Sequence, residues 1–135
     1  SESLLDTTST TTSSIEPIST FKGVNLVVFK AGGLWFPVGT AYDLSKLVFD
    51  RFTGELLCEI YTWFWEDDEE APHVELKNYT SVRILNSTPT VILSGEIQIP
   101  SLRFKFHKEK DAKLFWSLMR DELAGRLNSR EMVVG

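Results

Sequence analysis

The chain has 135 residues, of which 42% are hydrophobic and 24% are charged, and its net charge is −5. This length predicts a single domain with a sizeable core. Because an acidic chain has no global positive field, nucleic acid is excluded as the leading partner. Cys58 is the only cysteine, so an intramolecular disulfide is impossible, and we expect an intracellular protein of the cytoplasm or nucleus.

Serine and threonine dominate residues 1–19, which contain few apolar side chains. Such a segment cannot bury enough surface to offset the entropy lost on ordering, so we expect it to be a disordered linker. The folded domain is expected over residues 20–127. Residues 128–135 show no clear periodicity and are expected to form a tail.

Six or seven strands are predicted within the folded domain. Runs rich in β-branched and aromatic residues alternate with turn-forming segments, and they cover residues 24–29, 34–38, 44–52, 56–65, 74–85, 90–99 and 102–106. Thr53-Gly54-Glu55 is a hairpin signal between two of them. No alternation of strands with helices occurs, which favours an antiparallel sheet.

The strand over residues 102–106 leads directly into a predicted helix. Leu102, Phe104 and Phe106 alternate with charged residues, as in a half-buried strand. Helical spacing then places six apolar residues on one stripe, namely Ala112, Phe115, Trp116, Met119, Leu123 and Leu127. We expect this helix to close one open end of a curved sheet, with Phe115, Trp116 and Met119 inserted.

This ending resembles the pleckstrin-homology-like superfold. The strand 102–106, the polar turn Lys108-Glu109-Lys110-Asp111 and the helical Phe115-Trp116 are similar to the last strand and capping helix of that group. Trp116 takes the place of a tryptophan that is frequent in this helix. The resemblance implies a mainly β fold, a seven-stranded antiparallel sandwich or barrel capped by one C-terminal helix. It implies shape far more than function.

The sharpest functional candidate is the strand over residues 56–65. Glu59 favours a solvent-facing position, and the same face carries Tyr61, Trp63 and Trp65. We expect this aromatic row, with Trp35 as a further member, to be a contact surface for an extended peptide or a protein. The alternative is that these rings pack beneath another segment of the protein.

Catalysis finds little support in the sequence. Cys58 falls on the apolar face of the same strand, where a thiol is usually inert. No nucleophile motif, phosphate-binding loop or metal-ligand spacing occurs, so no cofactor or metal is expected. The sequence therefore predicts a non-catalytic protein-interaction module, an adaptor or scaffold element of a larger protein.

Two alternatives stay open. Phosphoinositide-binding members of the superfold carry a basic cluster around the first hairpin, where this chain has only Lys22 and Lys30. Binding to membrane phosphoinositides is therefore not favoured. The second alternative is a barrel for a small apolar ligand, since Gly33-Leu34-Trp35 is similar to a short lipocalin pattern. A hollow interior would favour that barrel, and a packed core would count against it.

Overall fold

A computed structural model describes residues 16–30, 38–61 and 70–134, and over these residues seven antiparallel strands precede one long helix. The strands are β1 (Ile18–Phe21), β2 (Val24–Lys30), β3 (Val38–Asp50), β4 (Glu55–Ile60), β5 (Tyr79–Leu85), β6 (Thr90–Gly95) and β7 (Ser101–Lys105). A short 3-10 helix, η1 (Leu76–Asn78), precedes β5, and the helix α1 (Glu109–Val134) follows β7. The prediction of a mainly β fold with a C-terminal helix is confirmed.

β1 and β2 form one interrupted strand along β3. Phe21 pairs with Leu47 and Val24 pairs with Leu44, so the register does not shift across the interruption. Gly23 lies there with φ 68°, a left-handed conformation that glycine adopts without strain. The sheet therefore runs β4, β3, the β1–β2 line, β7, β6 and β5 from one edge to the other.

The sheet is curled into a half-barrel, and residues 74–78 lead from one edge to the other. Leu56 of β4 forms an isolated antiparallel bridge with Val74. The chain then passes through η1 into β5 at the opposite edge. Curvature of this kind leaves an apolar interior with an open side, which another element has to cover.

Helix α1 covers the interior with a narrow apolar stripe. The buried positions of the stripe are Ala112, Phe115, Met119 and Leu123. The ring centroid of Phe115 lies 5.0 Å from that of Phe104 and 5.2 Å from that of Phe106. Phe21 of β1 meets the same ring edge-on at 5.5 Å. One helical side chain therefore contacts residues from both ends of the folded sequence.

Trp116 occupies a different place from the one expected. Phe115 and Met119 are fully buried, as expected of inserted side chains, whereas Trp116 is only partly buried. Its ring packs at the border of the core, and the Arg120 guanidinium lies over it, 4.7 Å from the ring centroid. At about 100° per residue Phe115 and Trp116 lie at opposite borders of the stripe, and the core covers the Phe115 side more fully.

Several element boundaries differ from those predicted. β1 begins at Ile18, inside the segment 1–19, while residues 1–15 lie outside the described residues. The first part of the predicted strand 74–85 is a single bridge followed by η1. The backbone of α1 continues to Val134 because extending an existing helix adds one hydrogen bond per residue at little cost. The predicted strand 34–38 falls outside the described residues except for Val38.

Phe115→Ala should lower the free energy of unfolding by about 3–5 kcal/mol, because a fully buried ring would be replaced by a cavity. Trp116→Ala should cost less, since part of that ring already meets solvent. Urea denaturation measures both. Leu114→Ala, at a helical position that is 48% exposed, is the control and should change stability by less than about 0.5 kcal/mol. Equal losses at positions 114 and 115 would contradict this packing.

Two glycine-to-alanine changes should have opposite effects on stability. A Cβ at Gly95 would overlap the Asn78 carbonyl oxygen, so Gly95→Ala has to displace backbone and should cost about 1–3 kcal/mol. A Cβ at Gly125 of α1 would meet nothing within 4 Å. Gly125→Ala should therefore stabilise the protein by about 0.5–1 kcal/mol. Thermal melting checks both signs, and destabilisation by the two changes alike would be inconsistent with the structure.

Candidate interaction surface

The outward face of β4 exposes two large apolar side chains. Leu57 and Tyr61 are each 55% exposed, whereas Leu56 is buried. Glu59 is also exposed between them, so the alternation predicted from the sequence is confirmed over residues 56–61. The Tyr61 backbone N–H donates a hydrogen bond of 3.2 Å to the Asp43 carbonyl, which extends the pairing of β4 with β3.

The structure describes part of the predicted aromatic row. Tyr61 is exposed on the face where the sequence places it, and Trp35, Trp63 and Trp65 lie outside the described residues. Leu57 shares this face, although it is not aromatic. The parity of the strand was a sufficient signal to find it.

Further exposed apolar residues lie near the β3–β4 turn. Phe52 in this turn is 86% exposed, and Ile18, opposite Asp50 in β1, is 51% exposed. The Asp50 side chain accepts a hydrogen bond of 2.9 Å from the Phe52 N–H, and the Asp50 carbonyl accepts one of 2.8 Å from Gly54. These bonds fix a tight turn in which the Phe52 ring projects into solvent.

A cleft of about 250 Å³ lies beside Leu57. Three buried apolar side chains form its floor: Leu56, Val74 and Leu76. Its rim is polar and consists of Thr53, Glu55, His73, Glu75, Lys77 and Arg126. Cavities for drug-sized ligands usually measure about 300–1,000 Å³. This volume therefore suits one or two side chains of a partner better than a whole small molecule.

One carboxylate organises the rim along the extended segment before β5. Glu75 accepts a contact of 3.0 Å from the Lys77 ammonium and one of 3.1 Å from the His73 imidazole. The hydrogen bond from Lys77, followed by that from His73, lowers the pKa of Glu75. Glu75 is therefore ionised at neutral pH, and the rim carries charges of both signs.

Arg126 connects helix α1 to the opposite wall of the cleft. Its Nε donates a hydrogen bond of 2.7 Å to Glu122 Oε2, one helical turn earlier. Its Nη2 donates a second bond of 3.2 Å to the Gly54 carbonyl in the β3–β4 turn. A Cβ at Gly54 would lie 2.8 Å from that Nη2, so the close approach depends on glycine. Arg126 thereby links the helix to the β3–β4 turn at one wall of the cleft.

Cys58 lies on the inward side of β4 and is partly buried. Burial raises the pKa of the Cys58 thiol to about 12. The thiol is therefore protonated at neutral pH, and a protonated thiol is a poor nucleophile. Within the described ranges, no three histidine, cysteine or acidic residues are grouped closely enough to hold a metal ion.

Lys22 and Lys30, the candidate lipid-binding residues, are exposed but far apart. Lys22 lies in the interruption between β1 and β2, and Lys30 ends β2. Eight residues of extended chain separate them, which corresponds to about 26 Å at about 3.3 Å per residue. The structure does not bring these two lysines together around one phosphate group.

Comparison of the sequence with models of known protein families finds no match, and comparison with curated proteins finds no similar sequence. Across the part of the chain that the structure describes, no helix combines the length and the apolar character needed to cross a membrane. Any functional assignment therefore has to come from the surface itself.

The raised pKa of Cys58 predicts a loss of stability at alkaline pH. In the unfolded chain the thiol ionises near its ordinary pKa of 9.0, while in the folded state it stays protonated up to about pH 12. Its contribution is therefore complete below pH 9 and declines above it, by up to about 1.4 kcal/mol per pH unit. Tyr79, whose pKa burial also raises, adds to the decline only above pH 10.

Urea denaturation between pH 8.5 and 10 should show this decline in the native protein and a shallower one in Cys58→Ala. A matched control, Leu57→Cys combined with Cys58→Ala, moves the thiol to the exposed neighbouring position. There the thiol should ionise normally, and the decline should again be shallow. Identical slopes in all three proteins would show that the Cys58 thiol is not protected by burial.

Proposed function

We propose that this chain is a non-catalytic protein-interaction module with a pleckstrin-homology-like fold, part of a larger intracellular protein. It binds a peptide or protein segment at the β4 surface, which we define as Leu57, Tyr61 and the adjoining cleft. The observation that carries the proposal is the pair of half-exposed apolar side chains beside a cleft with an apolar floor and a charged rim.

The β4 surface has the composition of a protein-binding site. Binding energy at such sites concentrates on a few apolar or aromatic contacts, while a surrounding polar rim excludes water and sets orientation. Leu57 and Tyr61 provide the apolar contacts, and an incoming side chain would fill the cleft against Val74 and Leu76. Because the rim holds both carboxylates and cations, the choice of partner depends on shape more than on net charge.

The pleckstrin-homology-like assignment is supported by the combination of a curled seven-stranded antiparallel sheet and a C-terminal helix over its open side. In that superfold a helix occupies the same position in the order of elements. The contact of Phe115 with the rings of Phe21 and Phe106 is consistent with a closure of this kind.

The alternative of a barrel for a small apolar ligand is disfavoured by the packed interior. Phe115 fills the centre and lies within 5.5 Å of three other rings, those of Phe21, Phe104 and Phe106. Phosphoinositide binding is disfavoured by the separation of Lys22 from Lys30 along one extended line.

Selection from a phage-displayed random peptide library tests the proposal. Selected peptides should bind Leu57→Asp at least about tenfold more weakly than the native protein, because a charge would enter the apolar contact. Leu114→Asp is the matched control, since it places the same charge at a leucine of similar exposure on α1. Isothermal titration measures both affinities.

The affinity of Leu114→Asp should stay within about twofold of the native value, because rim and remote charges contribute little. Backbone amide chemical shifts should change at Leu57, Tyr61 and Val74 when a selected peptide is added. Peptides that bind Leu57→Asp as well as the native protein would refute the β4 surface. Failure of repeated selections to yield any binder would count against a peptide-binding module.

A further inference from the structure

A second exposed surface lies on the outer side of β2, β7, β6 and β5. The register places Val27, Arg103, Ile92 and Arg83 in one row across these four strands. Lys105 follows two residues after Arg103 on the same face of β7. All three cationic side chains are exposed, and none of them belongs to the β4 surface.

Arg103 packs against an aromatic ring of the neighbouring strand β2. Its guanidinium lies 5.2 Å from the ring centroid of Phe29, in a cation–π arrangement. The Phe29 ring in turn covers Gly39, where an added Cβ would lie only 3.0 Å from its Cε1 atom. The structure records no hydrogen bond from the Arg103 guanidinium to a described residue, and a guanidinium over a ring can still donate through its edge N–H groups.

Ile92 lies between the two arginines on this face. Although Ile92 faces outward and lies outside the core cluster, it is only 5% exposed. Its neighbours in register are Arg103 on one side and Arg83 on the other. Long basic side chains cover apolar surface with their methylene groups while their charged ends stay in water. Packing of this kind over Ile92 would limit the freedom of both side chains before any ligand arrives.

Among the described residues, no carboxylate pairs with the positive charges on this face. Arg83, Arg103 and Lys105 take part in no ion pair with any described residue. Lys105 pairs with Asn25 on β2, and Asn25 pairs in turn with Asp43 on β3. The Asp43 carboxylate therefore lies two strands from Lys105, and it accepts a hydrogen bond from the Asn25 amide. A local positive field therefore persists on a protein whose net charge is −5.

We propose that Arg83, Arg103 and Lys105, here named the basic face, dock an extended acidic segment of a partner protein. Arg103 and Lys105 are two residues apart on one strand, a separation of about 6.6 Å. Alternate side chains of an extended peptide have the same spacing, so two carboxylates at positions i and i+2 match them. Arg83 lies two strands away, at about 10 Å, and can bind a third carboxylate.

A short acidic segment fits this face better than a long polyanion does. Guanidinium groups bind carboxylates through two parallel hydrogen bonds. A nucleic acid or an anionic membrane would also meet the negative charge of the rest of the molecule. A peptide of a few residues contacts the basic face alone. This surface goes beyond the proposed β4 surface and can be tested separately from it.

The probe is a fluorescein-labelled octapeptide of alternating glutamate and valine, titrated with the protein and followed by fluorescence anisotropy. We expect saturable binding that weakens steeply between 50 and 200 mM salt, because exposed charges are screened over about 8–10 Å. Arg103→Glu should weaken binding at least about tenfold. Lys105→Glu should act in the same direction and serves as a second variant if Arg103→Glu folds poorly.

Lys46→Glu is the matched control, since it makes the same change in net charge at an exposed lysine of β3 outside the basic face. It should weaken binding by less than about twofold. Arg103→Lys retains the charge but loses the planar fork, so it should cause a loss between those of Lys46→Glu and Arg103→Glu.

Three outcomes would overturn the proposal. The first is no saturable binding of the acidic peptide at 50 mM salt. The second is an equal loss in Arg103→Glu and Lys46→Glu, which would mean that only net charge matters. The third is tighter binding of single-stranded RNA or of phosphatidylserine vesicles, abolished by the same variants. Loss of peptides selected on the β4 surface would not bear on this result, because the basic face shares no residue with it.

Discussion

Burial of the Phe115 ring against Phe21, Phe104 and Phe106 is the contact on which the rest of the structure depends. Strand pairing alone leaves one side of the curled sheet open, and the single bridge at Val74 joins its edges only locally. Without the helix, the inward faces of the strands would stay in contact with water. The free energy of folding would then lose about 25 cal/mol for each Å² of apolar surface left exposed. Helix α1 removes that surface from water, and edge-on ring contacts add about 0.5–1.5 kcal/mol per pair.

Closure by the helix also decides where recognition can occur. Since rings fill the interior, the proposed partners would meet the molecular surface, where two regions on the outer side of the sheet differ in chemistry. The β4 surface offers apolar contacts beside a cleft. Arg126 connects α1 to the β3–β4 turn at one wall of this cleft. The basic face offers three exposed cations, of which Arg103 lies over the Phe29 ring. We infer a module that contacts its partner through shape on one face and charge on the other.

Local patterns in the sequence predicted the strand-to-helix ending and the exposed face of β4, because strand parity and helical spacing depend only on neighbouring residues. β1 was not predicted, because Phe21 is its only buried side chain and one buried position forms no alternating pattern. Helical spacing places Trp116 on the apolar stripe, but it does not reveal which border of the stripe the sheet covers more fully, so the partial exposure of Trp116 was not predictable. The cleft and the basic face were not predictable, because register and long-range contacts bring their residues together, as Val74 meets β4 and Arg83 meets β7 across β6.

Native-state amide hydrogen exchange tests the central role of the helix most directly. If α1 completes the core, its amides between Ala112 and Leu123 should exchange with the same opening free energy as those of β7, equal to that of global unfolding. Exchange should then become slower in both elements together when the protein is stabilised by Gly125→Ala. Rapid exchange of the helix by local opening, with β7 still protected to the global limit, would show that the sheet is stable without α1 and would contradict this account.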